Sequence, residues 1–475
     1  MSGSGRPATP SGAGGPGWLF WPFLASILAA PILLGANRPL GWSLLALATG
    51  VLLLAWAAIA RRRDAAPVPL TRLAPAALPL ALAVGWAFLQ SLPLSGLSDA
   101  VWSEAGAALE RSLQARISLA PEEAATGIMR LITYGGVLLL AVQFGHSARR
   151  ESAVLWAVAL AGAAYALYGL LVFADGNHML LGMEKWAYPS SLTSTFVSRN
   201  SYATYAGLGL CASFGLLARG LAGERREAAN EAALLCVLAL LITAALLLTH
   251  SRAGIASATL GVVVMAGLVA TGEGTRRARL VFASCALGLL AAATAVLGSG
   301  VVGRKSPERL EEWSGRTGIW ERTVAAILDR PLGGGLGAFV DFFPAYRDFA
   351  LGLQKGSIDK AHNLYLEMAA ELGLPVAAAL IFGMGWLALR AAGPKPGAPL
   401  AAAGATVLVA AHSLADFSLQ IPAVTATWLL LLGTALGRTE QRRSNTARAV
   451  RRGSGNRDPG ALQEFPQPAA AATDR

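Results

Sequence analysis

Residues 232–271 read AALLCVLALLITAALLLTHSRAGIASATLGVVVMAGLVAT, and this stretch decides the fold class. It carries a single charged side chain, Arg252. A bilayer core of roughly 30 Å requires about 20 apolar residues in a helix. The stretch therefore predicts two membrane-spanning helices, 232–250 and 254–271, joined by a tight turn in which Gly254 lets the backbone bend sharply.

Apolar runs of the same kind recur along the whole 475-residue chain. Hydrophobic residues make up 54% of it and charged residues only 14%, against about a quarter charged in a typical soluble domain. The chain is therefore an all-α polytopic integral membrane protein with about twelve transmembrane helices. The first run resembles a signal peptide, but the charge pattern described next requires it as a span. The predicted spans are 18–36, 42–60, 75–93, 128–145, 152–174, 201–220, 232–250, 254–271, 280–299, 363–389, 399–415 and 421–437.

Arginine clusters follow every even-numbered span, whereas the first long loop after an odd-numbered span, 94–127, is mainly acidic. Because cytoplasmic loops hold excess Lys and Arg, both termini are predicted to be cytoplasmic. The predicted organisation is a disordered N-terminus, 1–17, a transmembrane domain, 18–437, with a periplasmic loop, 300–362, and a disordered basic tail, 438–475. The clusters contain Arg61, Arg62, Arg63, Arg149, Arg150, Arg219, Arg225, Arg226, Arg276, Arg277, Arg279, Arg390, Arg438, Arg442 and Arg443.

The net charge of +11 does not indicate nucleic-acid binding. The excess lies in the cytoplasmic loops and tail, where it meets anionic lipid. A nucleic-acid surface would interleave basic and aromatic residues, and 439–475 contains no Trp or Tyr. Partners are therefore expected to be membrane lipids and substrates, without nucleic acid.

The sequence offers no ligands for a metal ion and no nucleotide motif. The three cysteines lie within apolar runs, and no His or Cys cluster has metal-ligand spacing. The run Pro331–Gly337 is rich in glycine, but no GK[ST] ending or βαβ pattern accompanies it. We expect it to form a flexible turn, and we expect no cofactor.

Two loops on the predicted outer side are long. The loop 94–127 is expected to be an amphipathic surface segment. In the loop 300–362 a helical stripe of apolar residues is expected to lie on the membrane or on the helix bundle, with simple packing the favoured interpretation. The stripe consists of Trp313, Trp320, Val324, Ile327 and Leu328.

Cations and histidines collect at the predicted outer boundary of the membrane. An arginine near the bilayer is costly unless it is paired, so its default interpretation is functional. The alternative is an arginine that only snorkels to the interface. A guanidinium fork matches phosphate oxygens, and an imidazole is a competent general base at neutral pH. The residues are Arg199, Arg252, Arg316, His250, His362 and His412.

The motifs around these residues resemble those of the O-antigen ligase and Wzy polymerase superfamily of bacterial glycan assembly. The resemblance extends from about 190 to 437, and the order of the motifs makes it specific. They are Thr195-Phe196 to Arg199-Asn200, Ser251-Arg252-Ala253-Gly254, Gly315-Arg316-Thr317 with Trp320, Pro331 to Gly337, His362-Asn363-Leu364-Tyr365-Leu366 with Glu371 and Gly373, and His412-Ser413-Leu414 with Asp416, Phe417 and Pro422.

The resemblance implies a GT-C-like membrane glycosyltransferase in the bacterial inner membrane, with a periplasmic active site. It implies an undecaprenyl-pyrophosphate-linked glycan as donor and lipid A core or another glycan as acceptor, without a metal. Arg199, Arg252 and Arg316 would bind the pyrophosphate, and His362 would take the proton of the acceptor hydroxyl. Residues in supporting roles would be Asn200, Asn363, Tyr365, His412 and Asp416.

Two alternatives stay open. A ligase and a polymerase share these motifs and differ only in the acceptor, with the ligase favoured. A glycolipid flippase would also suit twelve spans. Transporters place ionisable groups near the bilayer midplane, however, whereas the middles of most spans here are Ala, Leu, Val and Gly. The pattern favours chemistry at the membrane surface.

Overall fold

The computed structural model describes residues 17–62, 68–94, 96–222, 228–272, 274–298, 307–347 and 358–455. These residues form sixteen α-helices, four short 3₁₀ helices and one hairpin of two-residue strands, β1 (Met179–Leu180) and β2 (Met183–Glu184). The helices are α1 Gly17–Ala29, α2 Pro39–Arg62, α3 Ala74–Gln90, α4 Val101–Ala108, α5 Pro121–Gly145, α6 Ala148–Ala174, α7 Arg199–Leu221, α8 Ala228–Leu248, α9 Arg252–Thr271, α10 Arg276–Gly298, α11 Pro307–Asp329, α12 Phe339–Phe342, α13 Leu364–Leu372, α14 Leu374–Ala391, α15 Ala398–His412 and α16 Pro422–Gly455.

A helix lies at each of the twelve predicted spans. Ten described helices are long and apolar enough to cross a membrane, judged by length and composition. The eleventh predicted span corresponds to the shorter apolar helix α15, and the twelfth to the first part of α16. The prediction of an all-α, multi-pass membrane protein is therefore confirmed.

The centre of the bundle is α7, whose span is fully buried by its neighbours. Glycine permits the close approach: a Cβ on Gly209 would lie 3.2 Å from the Cα of Gly162 in α6. Small residues commonly let membrane helices approach so closely. The peripheral helix α8 instead exposes large apolar side chains, among them Val237 and Leu240. An exposed apolar surface of this kind suits contact with lipid.

Two predicted boundaries were wrong because local capping chemistry overrides hydropathy. Helix α5 begins at Pro121, seven residues before the predicted start, with Pro at its first position and Glu122 and Glu123 in its first turn. The predicted span 363–389 is divided into α13 and α14 at Gly373, whose φ is +79°.

The predicted disordered tail does not begin at 438. Helix α16 continues to Gly455, held by ion pairs that Glu440 makes with Arg72, Arg390 and Arg443. The predicted N-terminal segment lies almost entirely outside the described residues, as does the end of the tail from 456 onward.

The predicted stripe in the long loop falls on a helix, α11, but only part of it packs. The buried face consists of Ile319, Thr323 and Ala326, which follow the spacing of one helical face. In contrast, Val324 is 43% exposed and Leu328 is 75% exposed, so the expected packing was wrong for these two. The Trp313 side chain lies outside the described residues.

Candidate active site

His362 lies two residues before α13 in a left-handed conformation with φ +50°. The backbone of the preceding residue, Ala361, is held by hydrogen bonds at both its N–H and its carbonyl. The Ala361 N–H donates to Glu367 Oε2 over 2.8 Å, and the Trp320 Nε1–H donates to the Ala361 carbonyl over 3.0 Å. The Lys360 Nζ lies 3.3 Å from Glu367 Oε1. A strained backbone conformation persists only where several surrounding interactions fix it. The contacts of Lys360, Ala361 and Trp320 fix it here.

The partner of His362 is Asp416, which follows α15. Its Oδ1 lies 3.5 Å from His362 Nδ1, at the outer limit of a hydrogen bond, and accepts the Phe417 N–H over 2.8 Å. Burial alone raises the pKa of the Asp416 carboxyl, but the His362 hydrogen bond, the two nearby imidazoles and the Phe417 N–H outweigh burial, so this pKa lies below its ordinary value. An ionised Asp416 can orient the His362 ring through Nδ1 and leave Nε2 for a substrate.

Asn363 and Tyr365 join α13 to the end of α15. The Asn363 Oδ1 caps α13 by accepting the N–H groups of Tyr365 and Leu366, over 3.1 and 3.2 Å. Its Nδ2 donates to the Leu414 carbonyl over 3.1 Å, and the Tyr365 hydroxyl donates to the Ala410 carbonyl over 2.9 Å. Both side chains therefore position His362 against Asp416.

His412 lies behind this pair and is 1% exposed. Its carbonyl accepts the Asp416 N–H over 3.0 Å. Neither ring nitrogen of His412 has a hydrogen-bond partner among the residues described. The hydrogen bond of its carbonyl and the burial of its ring place His412 within the turn that carries Asp416.

Arg316 belongs to α11 and reaches the same turn. Its Nη1–H donates to the Ala415 carbonyl over 3.1 Å. The long loop thus brings a guanidinium to the residue that precedes Asp416.

Arg199 and Arg252 are the first residues of α7 and α9. Ser198 and Ser251 cap these helices, and the Ser251 hydroxyl donates to Asn200 Oδ1 over 2.7 Å. Asn200 therefore ties the two helix starts together. Helix N-termini with adjacent arginines favour an anion, because unpaired N–H groups point outward there.

The turn before α9 differs from the expectation at Gly254. That residue lies within α9, and the positive φ of +53° belongs to His250. A Cβ on Gly254 would lie 2.4 Å from the Ala203 Cβ, so glycine is required there for close packing.

The three helix termini meet at one end of the bundle. Leu408, one turn before the end of α15, packs against Gly207 and Gly261, which lie two to three turns into α7 and α9. Ala401, two turns earlier, packs instead against Gly215. We call the end where α7 and α9 begin and α15 ends the His362 end.

The glycine-rich run packs beneath α13 and is not a loose turn. The Gly334 and Gly335 N–H groups donate to the carbonyls of Ala370 and Glu371, over 2.8 and 3.0 Å. A Cβ on Gly333 would lie 2.3 Å from the Glu371 carbonyl oxygen. These donors are occupied by protein, which agrees with the rejection of a phosphate loop.

Two buried carboxyls on α13 were not among the predicted site residues: Glu367, and Glu371, which the motif contains without an assigned role. Glu367 also accepts the Gln420 amide over 2.7 Å, which joins the His362 loop to the turn before α16. Burial, with repulsion from Glu367, raises the pKa of Glu371 to about 7. Their i, i+4 spacing, unusual in an apolar helix, is the signal that could have revealed them.

Comparison with known proteins agrees with the motifs. Residues 237–381 match the family model described as O-antigen ligase, which confirms the predicted resemblance. The match includes Arg252, Arg316 and His362, whereas Arg199, His412 and Asp416 lie outside it. No curated protein matches the chain. Within the described part of the chain, no group of three His, Cys, Asp or Glu residues could hold a metal ion.

Proposed function

Because the chain carries an O-antigen ligase domain, we propose that it transfers a glycan from undecaprenyl pyrophosphate to a sugar hydroxyl. The observation that carries the proposal is the His362–Asp416 pair, which lies at the bundle end where Arg199, Arg252 and Arg316 also lie.

In the proposed reaction the acceptor oxygen attacks the anomeric carbon of the donor sugar. A new glycosidic bond forms, and the bond from that carbon to the pyrophosphate oxygen breaks. The hydroxyl proton moves to His362 Nε2, and Asp416 stabilises the imidazolium. The arginines offset the charge that develops on the leaving pyrophosphate. Direct displacement inverts the anomeric configuration.

We place the His362 end on the periplasmic side of the inner membrane, with both termini in the cytoplasm. The alternating arginine clusters support this orientation. A reporter fused after Arg279 should then be cytoplasmic, and one fused near Gly335 should be periplasmic. A cytoplasmic signal at Gly335 would contradict the placement.

Reconstitution tests the activity directly. Purified protein in nanodiscs, supplied with lipid-linked glycan and a sugar acceptor, should release undecaprenyl pyrophosphate and form product, with turnover unchanged by a chelator. Movement of the donor between leaflets without any product would favour the flippase.

Within this reaction we favour a ligase over a polymerase. The lipopolysaccharide of a deletion strain separates the two. Loss of a ligase removes all glycan attached to lipid A core, whereas loss of a polymerase leaves a single repeat attached.

A further inference from the structure

A cavity of about 600 Å³ lies beside the His362 loop. Its walls come from α2, α3, α5 and α13 to α16, with the turn before α16. Tyr365 and Phe417 line it, and the Phe417 ring lies 5.4 Å from the His362 ring. Among the described residues, none from α6 to α11 lines it. The cavity and the helices that carry Arg199, Arg252 and Arg316 therefore flank the His362–Asp416 pair from different parts of the bundle.

Two cations line this cavity: Lys360, which is paired with Glu367, and Arg130, which faces it from within the α5 span. It lies ~14 Å along the helix from Pro121, at 1.5 Å per residue. Its guanidinium is 3.9 Å from the centre of the Trp42 ring. No carboxylate among the described residues forms an ion pair with it, and its buried Nε lacks a hydrogen-bond partner there. A lone arginine at such depth in a span indicates an anionic ligand.

The rest of the cavity is divided into a polar mouth and an apolar interior. Three carboxylates line the cavity: Glu367 is engaged by Lys360 and Gln420, Glu371 accepts the Phe339 N–H over 3.3 Å, and Glu123 lies two turns before Arg130 on α5. The interior wall is mainly aliphatic and aromatic, and its members include Leu131, Leu380, Ile381, Met384, Leu429 and Trp428. Such a chamber fits a molecule with an apolar chain and one anionic group.

We propose that the cavity is a lipid-phosphate site that holds the acceptor substrate, with the phosphate of its lipid at Arg130. This inference rests on the proposed transfer reaction for the identity of the substrate. In direct displacement the acceptor hydroxyl attacks the anomeric carbon on the face opposite the departing pyrophosphate, so the acceptor and the donor pyrophosphate lie on different sides of the reacting carbon. The arginines on α7, α9 and α11 serve the donor side, so the cavity serves the acceptor side.

Binding of dodecyl phosphate, inorganic phosphate and dodecanol to the purified full chain tests the site without turnover. Dodecyl phosphate should bind, and inorganic phosphate alone should not, because it gains nothing from the apolar wall. Arg130→Gln should weaken dodecyl phosphate binding by at least about tenfold, the usual worth of a hydrogen bond to a charged group. Arg111→Gln, on an exposed loop arginine, is the matched control and should leave binding unchanged.

A second variant fills the cavity instead of removing its charge. Gly385 lines the cavity, and a Cβ added to it meets no atom within 4 Å, so Gly385→Leu should fold and block binding. Gly288 in α10 has equally open space, lies outside the cavity and provides the matched control Gly288→Leu. Dodecyl phosphate binding that survives both Arg130→Gln and Gly385→Leu would overturn the proposal.

Two further measurements separate this inference from the transfer reaction. His362→Ala should leave dodecyl phosphate binding intact, because His362 does not line the cavity. In the transfer assay Arg130→Gln should raise the acceptor KM at least about tenfold and leave donor binding unchanged. If lipid binding depends on Arg130 but the protein transfers no glycan, the proposed function is wrong and the lipid-phosphate site stands. If Arg130→Gln transfers glycan with an unchanged acceptor KM, the cavity does not hold the acceptor, and the proposed transfer reaction stands.

Discussion

Two buried carboxylates at opposite ends of this bundle, Glu440 and Asp416, differ in how fully the protein bonds them. At the end away from His362, Glu440 lies 2.6–3.0 Å from Arg390, Arg72 and Arg443. Glu151 lies 2.7 Å from Arg438 and accepts the Ala398 N–H over 2.9 Å. We call this the Glu440 end, and it lies about 27 Å from the start of α16.

At the His362 end the polar groups keep unused capacity. Asp416 is 3.5 Å from its histidine, its Oδ2 has no hydrogen-bond partner among the described residues, and neither has either ring nitrogen of His412. Saturated groups stabilise a fold, whereas unsatisfied buried groups mark sites that await a ligand or a proton. A buried carboxylate therefore holds the bundle together at Glu440, whereas Asp416 keeps one oxygen available for chemistry.

Apart from the loss of His362 itself, the largest effect should come from the Asp416 carboxylate. Asp416→Asn keeps the side-chain shape and can still accept the Phe417 N–H, but it removes the charge that orients and stabilises a protonated His362. Turnover should fall by about 10²-fold or more, within the range that a positioned base contributes. Thermal unfolding should change little. A variant that loses stability and retains turnover would make Asp416 a structural residue like Glu440.

The next-largest effect on transfer should come from replacing Arg252, whose guanidinium can form two parallel hydrogen bonds. Arg252→Lys preserves one charge but loses bidentate hydrogen bonding. We expect about tenfold slower transfer, with lipid-linked glycan accumulating in cells while the protein level holds. Arg276→Lys, at the start of α10, is the control. Normal transfer by both Arg252→Lys and Arg199→Lys would reduce these residues to interface anchors.

The matched substitution at the Glu440 end should show the reverse pattern. Glu440→Gln weakens three charge-assisted contacts and should lower the free energy of unfolding by about 1–3 kcal/mol. Turnover per folded molecule should stay unchanged, as measured by thermal unfolding and transfer on one preparation. Slower transfer at full stability would mean that the two ends are coupled.

The smallest effect is a pH dependence at Glu371. Its pKa is about 7 in the folded chain, against an ordinary value of 4.5, because burial disfavours its charge. The folded state thus retains a proton that the unfolded chain releases, so stability falls as pH rises from about 4.5 to 7 and then levels off. Glu371→Gln should remove that component of the Tm profile. Parallel profiles for wild type and Glu371→Gln would place the carboxyl in an ordinary environment.

The helices were predictable because the length and apolar composition of each run are enough to predict a membrane-spanning helix. The break at Gly373 and the early start of α5 were not, since both depend on one capping or left-handed residue within a favourable run. The motifs identified His362 and the arginines at the bundle end. They could not show that Glu367 and Gln420 hold the loop, because that contact joins residues distant in sequence.

Arg130 is a different case, because a signal was present in the sequence. It is a charged residue inside the predicted span 128–145, where a charge is costly enough to indicate function. The predicted site residues all lie at the outer boundary of the membrane, so Arg130 is not among them. The structure adds the cavity that it faces and the Trp42 ring beside it.

The central claim is that His362 is the general base. Purified wild type, His362→Ala and His362→Gln, each with a lipid-linked donor and a sugar acceptor, test it most directly when donor binding is measured alongside turnover. Both variants should lose about two to four orders of magnitude in transfer, the usual worth of a positioned base, and both should bind the donor normally. Near-wild-type turnover in His362→Gln would contradict the account, because glutamine can hydrogen-bond but cannot accept the proton.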